Sequence, residues 1–105
     1  MPEHHYQVVV LAPAVEQIQQ IDTWWRQQRP AAPNLFAREL ERTLEQLASH
    51  PELGHPFPAR IHSPVHRTAL SASRYFVYYS IETLLDRVVV RAVWHMSRKR
   101  GPRLK

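Results

Sequence analysis

The spacing of apolar positions changes along the chain, and each change predicts a different element. Tyr6-Gln7-Val8-Val9-Val10-Leu11 is short and rich in β-branched residues, which predicts a strand, because branched side chains suit a pleated backbone. Pro13 follows where a first helical turn tolerates a missing N–H. Ala14, Ile18, Ile21 and Trp25 then recur at steps of four, three and four, one stripe of a helix. Arg29-Pro30-Ala31-Ala32-Pro33 interrupts it, since proline removes a backbone donor and clashes with the preceding turn. A second helix is expected over residues 34–49. Phe36, Leu40, Leu44 and Leu47 form its apolar face, and Arg38, Glu39, Glu41, Arg42 and Glu45 lie largely on the other side. Pro51 ends it, because the residue before a proline is pushed out of helical space.

Residues 50–66 hold four prolines and Gly54 and read as an irregular but packed connection. A short strand over 67–70 and a turn over 71–74 come next. Tyr75-Phe76-Val77-Tyr78-Tyr79-Ser80-Ile81 is apolar on both alternating faces, the pattern of a central strand. Glu82 to Asp86 turns the chain, and Val88 to Trp94 forms the last strand. The tail from Met96 is expected to fray. The order is β-α-α-β-β-β: an α+β fold in which a two-helix hairpin packs on a mostly antiparallel four-stranded sheet. The 105 residues make a single domain, 1–105, with a basic tail over 96–105. Leu44 and Val77 are expected in its core.

Composition narrows the class. Hydrophobic residues at 44% and aromatics at 10% exclude an intrinsically disordered chain. The absence of cysteine excludes a disulfide scaffold, a thiolate zinc site and a cysteine nucleophile. No apolar run approaches the roughly 20 residues of a spanning helix, and no basic stretch followed by an apolar one opens the chain. A cytoplasmic protein with no membrane association is expected. Seven histidines raise the question of a metal. His62 and His66 are four apart, but Pro64 between them argues against helical ligand spacing. His4 and His5 sit at the terminus, and His50 and His55 flank a turn. No metal site and no cofactor are expected.

Charge separates the two halves. Residues 1–58 carry four basic and seven acidic residues, whereas residues 59–105 carry ten basic and two acidic. Twelve of the fourteen cations are arginine, whose planar fork pairs with carboxylates and phosphates. The C-terminal half should therefore attract an anionic partner, either nucleic acid or an acidic protein. Trp24 and Trp25 are adjacent, so on a helix they diverge by about 100°. Trp25 joins the stripe, and Trp24 either covers the sheet or marks a contact with a partner chain.

Order and residues together resemble the RelE/ParE superfamily of small toxins from type II toxin–antitoxin modules. The resemblance rests on four stretches: Leu11-Ala12-Pro13-Ala14 between the first strand and helix; Leu47-Ala48-Ser49-His50-Pro51-Glu52-Leu53-Gly54-His55-Pro56 after the second helix; Arg67-Thr68-Ala69-Leu70 followed by Tyr75-Phe76-Val77-Tyr78-Tyr79; and Val88 to Arg98, with His95 three residues before Arg98. It covers residues 6–100. It implies a toxin neutralised by a small cognate antitoxin, touching operator DNA only through that antitoxin. It also implies one of two activities: RelE-like members cleave messenger RNA on the ribosome, and ParE-like members inhibit DNA gyrase.

Metal-free RNA cleavage needs a base, an acid and cations for the phosphate. RelE-like members resemble one another in an arginine on the aromatic strand, lysines on the strand before it and often a tyrosine in the tail. Here Phe76 stands where that arginine would fall, no lysine precedes Lys99, and no tyrosine follows Tyr79. His95, Arg98 and Arg67, with Arg100, remain as a reduced phosphate site, in which His95 is base or acid, or else merely caps the last strand. These departures favour the ParE-like branch, a toxin that acts by binding. Arg67, Arg74, Arg91, Arg98, Arg100 and Trp24 are the expected contacts to target or antitoxin.

Overall fold

In the computed structural model, which describes residues 5–59, 61 and 63–104, strand β1 (Gln7–Val10) leads directly into helix α1 (Ala12–Gln28), followed by helix α2 (Leu35–Ser49). Four further strands complete the chain: β2 (His55–Phe57), β3 (Val65–Leu70), β4 (Tyr75–Glu82) and β5 (Arg87–His95). His4 and His62 lie outside the described residues. Pro13 occupies the first turn of α1. That helix closes with the Arg29 N–H donating to the Trp25 carbonyl (3.0 Å), one residue before Pro30. Helix α2 closes in the same way, His50 N–H to the Gln46 carbonyl (2.7 Å), one residue before Pro51.

The sheet has the order β1-β5-β4-β3-β2. Only β1 runs parallel to its neighbour; the other pairs are antiparallel. Strand β4 is central, as its two apolar faces require. The sheet thus has five strands, not the four expected. The additional strand, β2, lies within the proline-rich connection. It is three residues long and sits at the edge, the place in a sheet where a proline such as Pro56 is tolerated.

Both helices cover one face of the sheet. Ala14 and Trp25 of α1 and Phe36, Leu40 and Leu47 of α2 form one cluster with Leu70, Val77, Tyr79, Val88, Val90 and Val93. Burying each large aliphatic or aromatic side chain contributes about 1.5–3 kcal/mol. Val77 is fully buried. Leu44, expected beside it in the core, is only half-buried, because it lines an open groove between α1 and α2.

Tyr79 fixes the proline-rich connection to the sheet. Its hydroxyl donates to the Pro51 carbonyl (2.5 Å) and accepts from the Gly54 N–H (2.9 Å). Gly54 is required by space, since a Cβ there would come within 2.7 Å of the Arg67 carbonyl oxygen. Burial, the largest cause, pushes the Tyr79 phenol above its ordinary value of 10.0; the Gly54 N–H opposes this and the Glu52 charge adds to it.

The tail is tied down rather than frayed. The Trp94 indole N–H donates to the Arg100 carbonyl (2.7 Å), and Gly101 lies against the Phe57 ring.

Candidate functional site

Strand β1 ends at Val10, opposite Val90. Residues 91–95 of β5 therefore have helix α1 beside them instead of a strand. Gln17 of α1 supplies the missing acceptor, its Oε1 taking the Val93 N–H at 2.8 Å. A bulge shifts the β4–β5 register: Tyr79 faces Val90, but Tyr78 faces Ala92, with Arg91 as the extra residue between them. Directly opposed residues project to the same face, so the bulge sets the face of every residue from Ala92 to His95. His95 pairs with Tyr75 and shares its helix-covered face, where the Tyr75 ring also meets Phe36 (centroids 5.2 Å). Trp94 pairs with Phe76 on the face without helices.

The β3–β4 turn is held from the other side. The Glu39 carboxylate on α2 accepts the backbone N–H groups of Ala72 (2.8 Å) and Ser73 (2.9 Å) and the Ser73 hydroxyl (2.6 Å). The last residue of the turn, Arg74, adopts the left-handed conformation with φ 73°. That costs a non-glycine residue about 1–2 kcal/mol. Its carbonyl accepts from the Met96 N–H (2.9 Å), which joins the turn to the end of β5.

Between α1, this turn and the end of β5 lies an open cleft of about 700 Å³. Arg29, Arg74 and Arg98 reach it, together with His95, and among the described residues no carboxylate lines it. Its floor and walls include Ile21, Trp25, Tyr75 and Val93. Trp24 is 44% exposed at its rim, whereas Trp25 is 9% exposed. The Arg29 guanidinium lies 5.3 Å from the Trp24 ring centroid and 6.0 Å from that of Trp25, and that of Arg98 lies 4.5 Å from that of Trp94. Guanidinium groups stacked in this way are oriented while their N–H edges stay available.

His95 is engaged locally. Its Nδ1 accepts the Ser97 N–H (3.0 Å) and lies 2.6 Å from the Ser97 hydroxyl, so the neutral ring carries its proton on Nε2. Its ring meets Tyr75 edge-on (5.0 Å). These contacts lie in the turn that follows β5.

Arg67 and Arg91 lie elsewhere. Arg67 pairs with Tyr78 on β4, three residues from Tyr75, and so projects to the helix-free face, opposite His95. Its guanidinium sits 4.0 Å over the Phe76 ring and 5.5 Å from that of Phe57, and 3.5 Å from the Tyr78 hydroxyl. Arg91 donates to the Ser80 hydroxyl (2.9 Å). Of the expected residues, the cleft gathers Trp24, Arg74, His95 and Arg98. Arg100 lies in an adjoining depression that shares Gln17, Trp94 and Arg98 with it. Of the reduced phosphate site, His95 and Arg98 line the cleft, whereas Arg67 does not, since it projects to the opposite face of the sheet from His95. Sequence reasoning missed Arg29, Gln17 and Glu39. Arg29 stands four residues after Trp25, a spacing that signals a shared helix face; nothing local signals the other two.

The family model for the ParE toxin of the type II toxin–antitoxin system parDE matches residues 8–100. The chain belongs to the ParE toxin family. It is accordingly a toxin of a type II toxin–antitoxin system. No curated protein sequence matches it. Among solved structures it is similar to a chain of the RelBE2 toxin–antitoxin complex of Mycobacterium tuberculosis. The identity there is 19%, over 87% of this chain and 98% of that one, with a TM-score of 0.58. It is also similar to a double arginine-to-alanine mutant of E. coli toxin RelE in the free state. There the identity is 15%, over 89% of this chain and 85% of that one, again with a TM-score of 0.58. These likenesses establish the RelE/ParE fold. On it, this ParE-family chain presents three arginines that can hold carboxylate or phosphate oxygens above an apolar floor. Among the described residues, no helix is long and apolar enough to cross a membrane.

Proposed function

We propose that this ParE-family toxin acts in the cytoplasm by binding DNA gyrase, and that a small cognate antitoxin neutralises it. The observation that carries the reading is the separation of His95 from Arg67 across the sheet. General acid–base cleavage needs a proton-transfer group and phosphate-holding cations around one reacting centre. Here His95 gives its Nδ1 to Ser97, Arg67 is packed on Phe76, and Phe76 itself stands where RelE-like members resemble one another in an arginine. The family match supports the ParE-like target. The M. tuberculosis RelBE2 structure is a toxin–antitoxin complex on this fold, which supports an antitoxin partner here.

The rival reading, ribosome-dependent cleavage of messenger RNA, draws on the fold likeness to RelE. Purified protein assayed for inhibition of gyrase supercoiling and for messenger RNA cleavage in a translation extract separates the two. Gyrase inhibition without cleavage is expected; neither activity would leave a non-toxic binding module. In cells without antitoxin, His95→Gln should remain as toxic as the parent. A nuclease would instead lose about 10²–10⁴-fold in cleavage, the scale of general acid–base catalysis. Replacing Arg98 and Arg100 together should weaken toxicity, because hydrogen bonds to charged groups are worth about 1.5–3 kcal/mol each. A harmless His95→Gln variant beside a still-lethal double arginine variant would overturn the reading.

A further inference from the structure

The turn after β5 presents a hydroxyl to a base. Ser97 is exposed and lines the cleft, and its Oγ lies 2.6 Å from His95 Nδ1. That nitrogen already accepts the Ser97 N–H at 3.0 Å. It is therefore the lone-pair nitrogen of the neutral ring, and the hydroxyl donates to it. The hydroxyl proton is thereby committed to the ring, and the oxygen keeps its lone pairs for an electrophile. The arrangement is braced on both sides. The Arg98 N–H donates to the His95 carbonyl (3.2 Å), and the Met96 N–H to the Arg74 carbonyl (2.9 Å).

The surroundings select the electrophile. Arg29, Arg74 and Arg98 line the same cleft, and among the described residues no carboxylate does. The Arg29 and Arg98 guanidiniums stack on Trp24 and Trp94, a contact made through the flat face that leaves N–H edges for oxygen. A serine phosphate carries about −1.5 to −2 charges at neutral pH and three acceptor oxygens, which arginine forks pair with in bidentate fashion. Other serines differ in these respects. Ser73 also lines the cleft, but it is 2% exposed and gives its hydroxyl to the Glu39 carboxylate (2.6 Å). Ser71 is exposed on the β3–β4 turn but is not among the cleft-lining residues.

We propose that Ser97 is a phosphorylation site that switches this toxin off. A protein kinase brings a nucleoside triphosphate, and Ser97 Oγ attacks its γ-phosphorus. The bond from that phosphorus to the β–γ bridging oxygen breaks, and the nucleoside diphosphate leaves. The hydroxyl proton passes to His95 Nδ1. The imidazolium and the cleft arginines then hold the new phosphate, which cancels much of the charge that the cleft offers an anionic partner. The site stands on the geometry of the turn; only its effect on activity rests on the reading of this protein as a gyrase-binding toxin.

The test uses the full-length toxin with phosphoserine installed at position 97 during translation. Phosphorus NMR titration should place the second ionisation of the Ser97 phosphate about one unit or more below its ordinary value of about 6. Arg29→Gln/Arg98→Gln should bring it back toward that value. An ordinary value in the parent background, or a depression that the double variant leaves untouched, would overturn the site. In gyrase supercoiling assays the Ser97 phosphate should weaken inhibition roughly tenfold, the scale of a lost hydrogen bond to a charged group. Phosphoserine at position 71 adds the same charge outside the cleft and should weaken it less than about twofold, as exposed charges do. Equal losses at the two positions would reduce the effect to net charge and overturn the switch. Mass spectrometry of toxin from the cells that encode it should find phosphate on Ser97, and a Ser97 that is bare in all of that toxin would overturn the proposal. If the unmodified toxin does not inhibit gyrase, the target reading falls, and the titration and the mass spectrometry still decide whether Ser97 is the site.

Discussion

Arg67 and Arg91 on the helix-free face, and Arg29, Arg74 and Arg98 around the cleft, belong to the same small sheet but meet opposite surroundings. The first pair is absorbed by the protein: Arg67 lies on Phe76 and Arg91 on the Ser80 hydroxyl. The second group stands in an open cleft that, among the described residues, no carboxylate lines. All five are chemically the same side chain. What differs is whether the guanidinium's donors end on the protein or on whatever enters from outside. A surplus of arginine in the C-terminal half therefore does not locate an interaction surface. Arg29, from the acidic half of the sequence, belongs to the cleft, and Arg67, from the basic half, does not.

Substitutions on both sides would break or sharpen that contrast. Val77 lies on β4 between Phe76 and Tyr78 and points into the core beneath both regions. Val77→Ala should cost about 1.5–4 kcal/mol in chemical unfolding, and Leu44→Ala, half-exposed, less than half as much. Equal losses would mean that the groove between the helices is closed in solution. Next comes Tyr79→Phe, which leaves the Gly54 N–H and the Pro51 carbonyl without their buried partner and should cost about 1–3 kcal/mol. It should also change the alkaline limb of stability. Because burial raises the folded phenol above 10.0, the unfolded chain releases that proton first. The stabilisation is present in full below about pH 10 and is lost as pH rises through the folded value. The Tyr79→Phe variant should show a shallower decline there, and an unchanged decline would place the titration in another group.

The contrast itself is tested by single arginine truncations. Arg67→Ala should lower stability by about 1–2 kcal/mol, the scale of a desolvated cation–π contact. Arg29→Ala should stay within about 0.5 kcal/mol, as exposed surface changes do. If the order were reversed, the cleft arginines would be structural and the packed ones free. A gain instead of a loss is expected at Arg74. Arg74→Gly removes the left-handed penalty and should stabilise the fold by up to about 1 kcal/mol while weakening anion binding. A residue kept at a cost to stability beside a cleft fits a role in binding.

Much of this architecture was legible in the chain itself. The stripe through Ala14 and Trp25, the helix from Phe36 to Leu47 and the two-sided apolar run at Tyr75 to Ile81 each specify their element by period, because solvent removes apolar area in whichever geometry aligns it. Prolines 30 and 51 set both helix ends through local sterics. The resemblance in order and spacing pointed to the toxin family. Strand β2 was not legible, because three residues around Pro56 carry no period, and they pair only because β3 offers an edge. The composition of the site was not legible either, and the reason is one residue. Without the bulge at Arg91, continuous pairing from Tyr79 and Val90 would set Trp94 opposite Tyr75 and leave His95 on the face of Arg67. A one-residue shift moves every side chain beyond it to the other face. Sequence periodicity determined that residues 88–94 form a strand, since that depends on local preferences and burial. Which face His95 takes, and hence which arginines share its cleft, was decided by the pairing of β5 with β4 and by α1 taking the place where β1 ends, contacts between segments far apart in the chain.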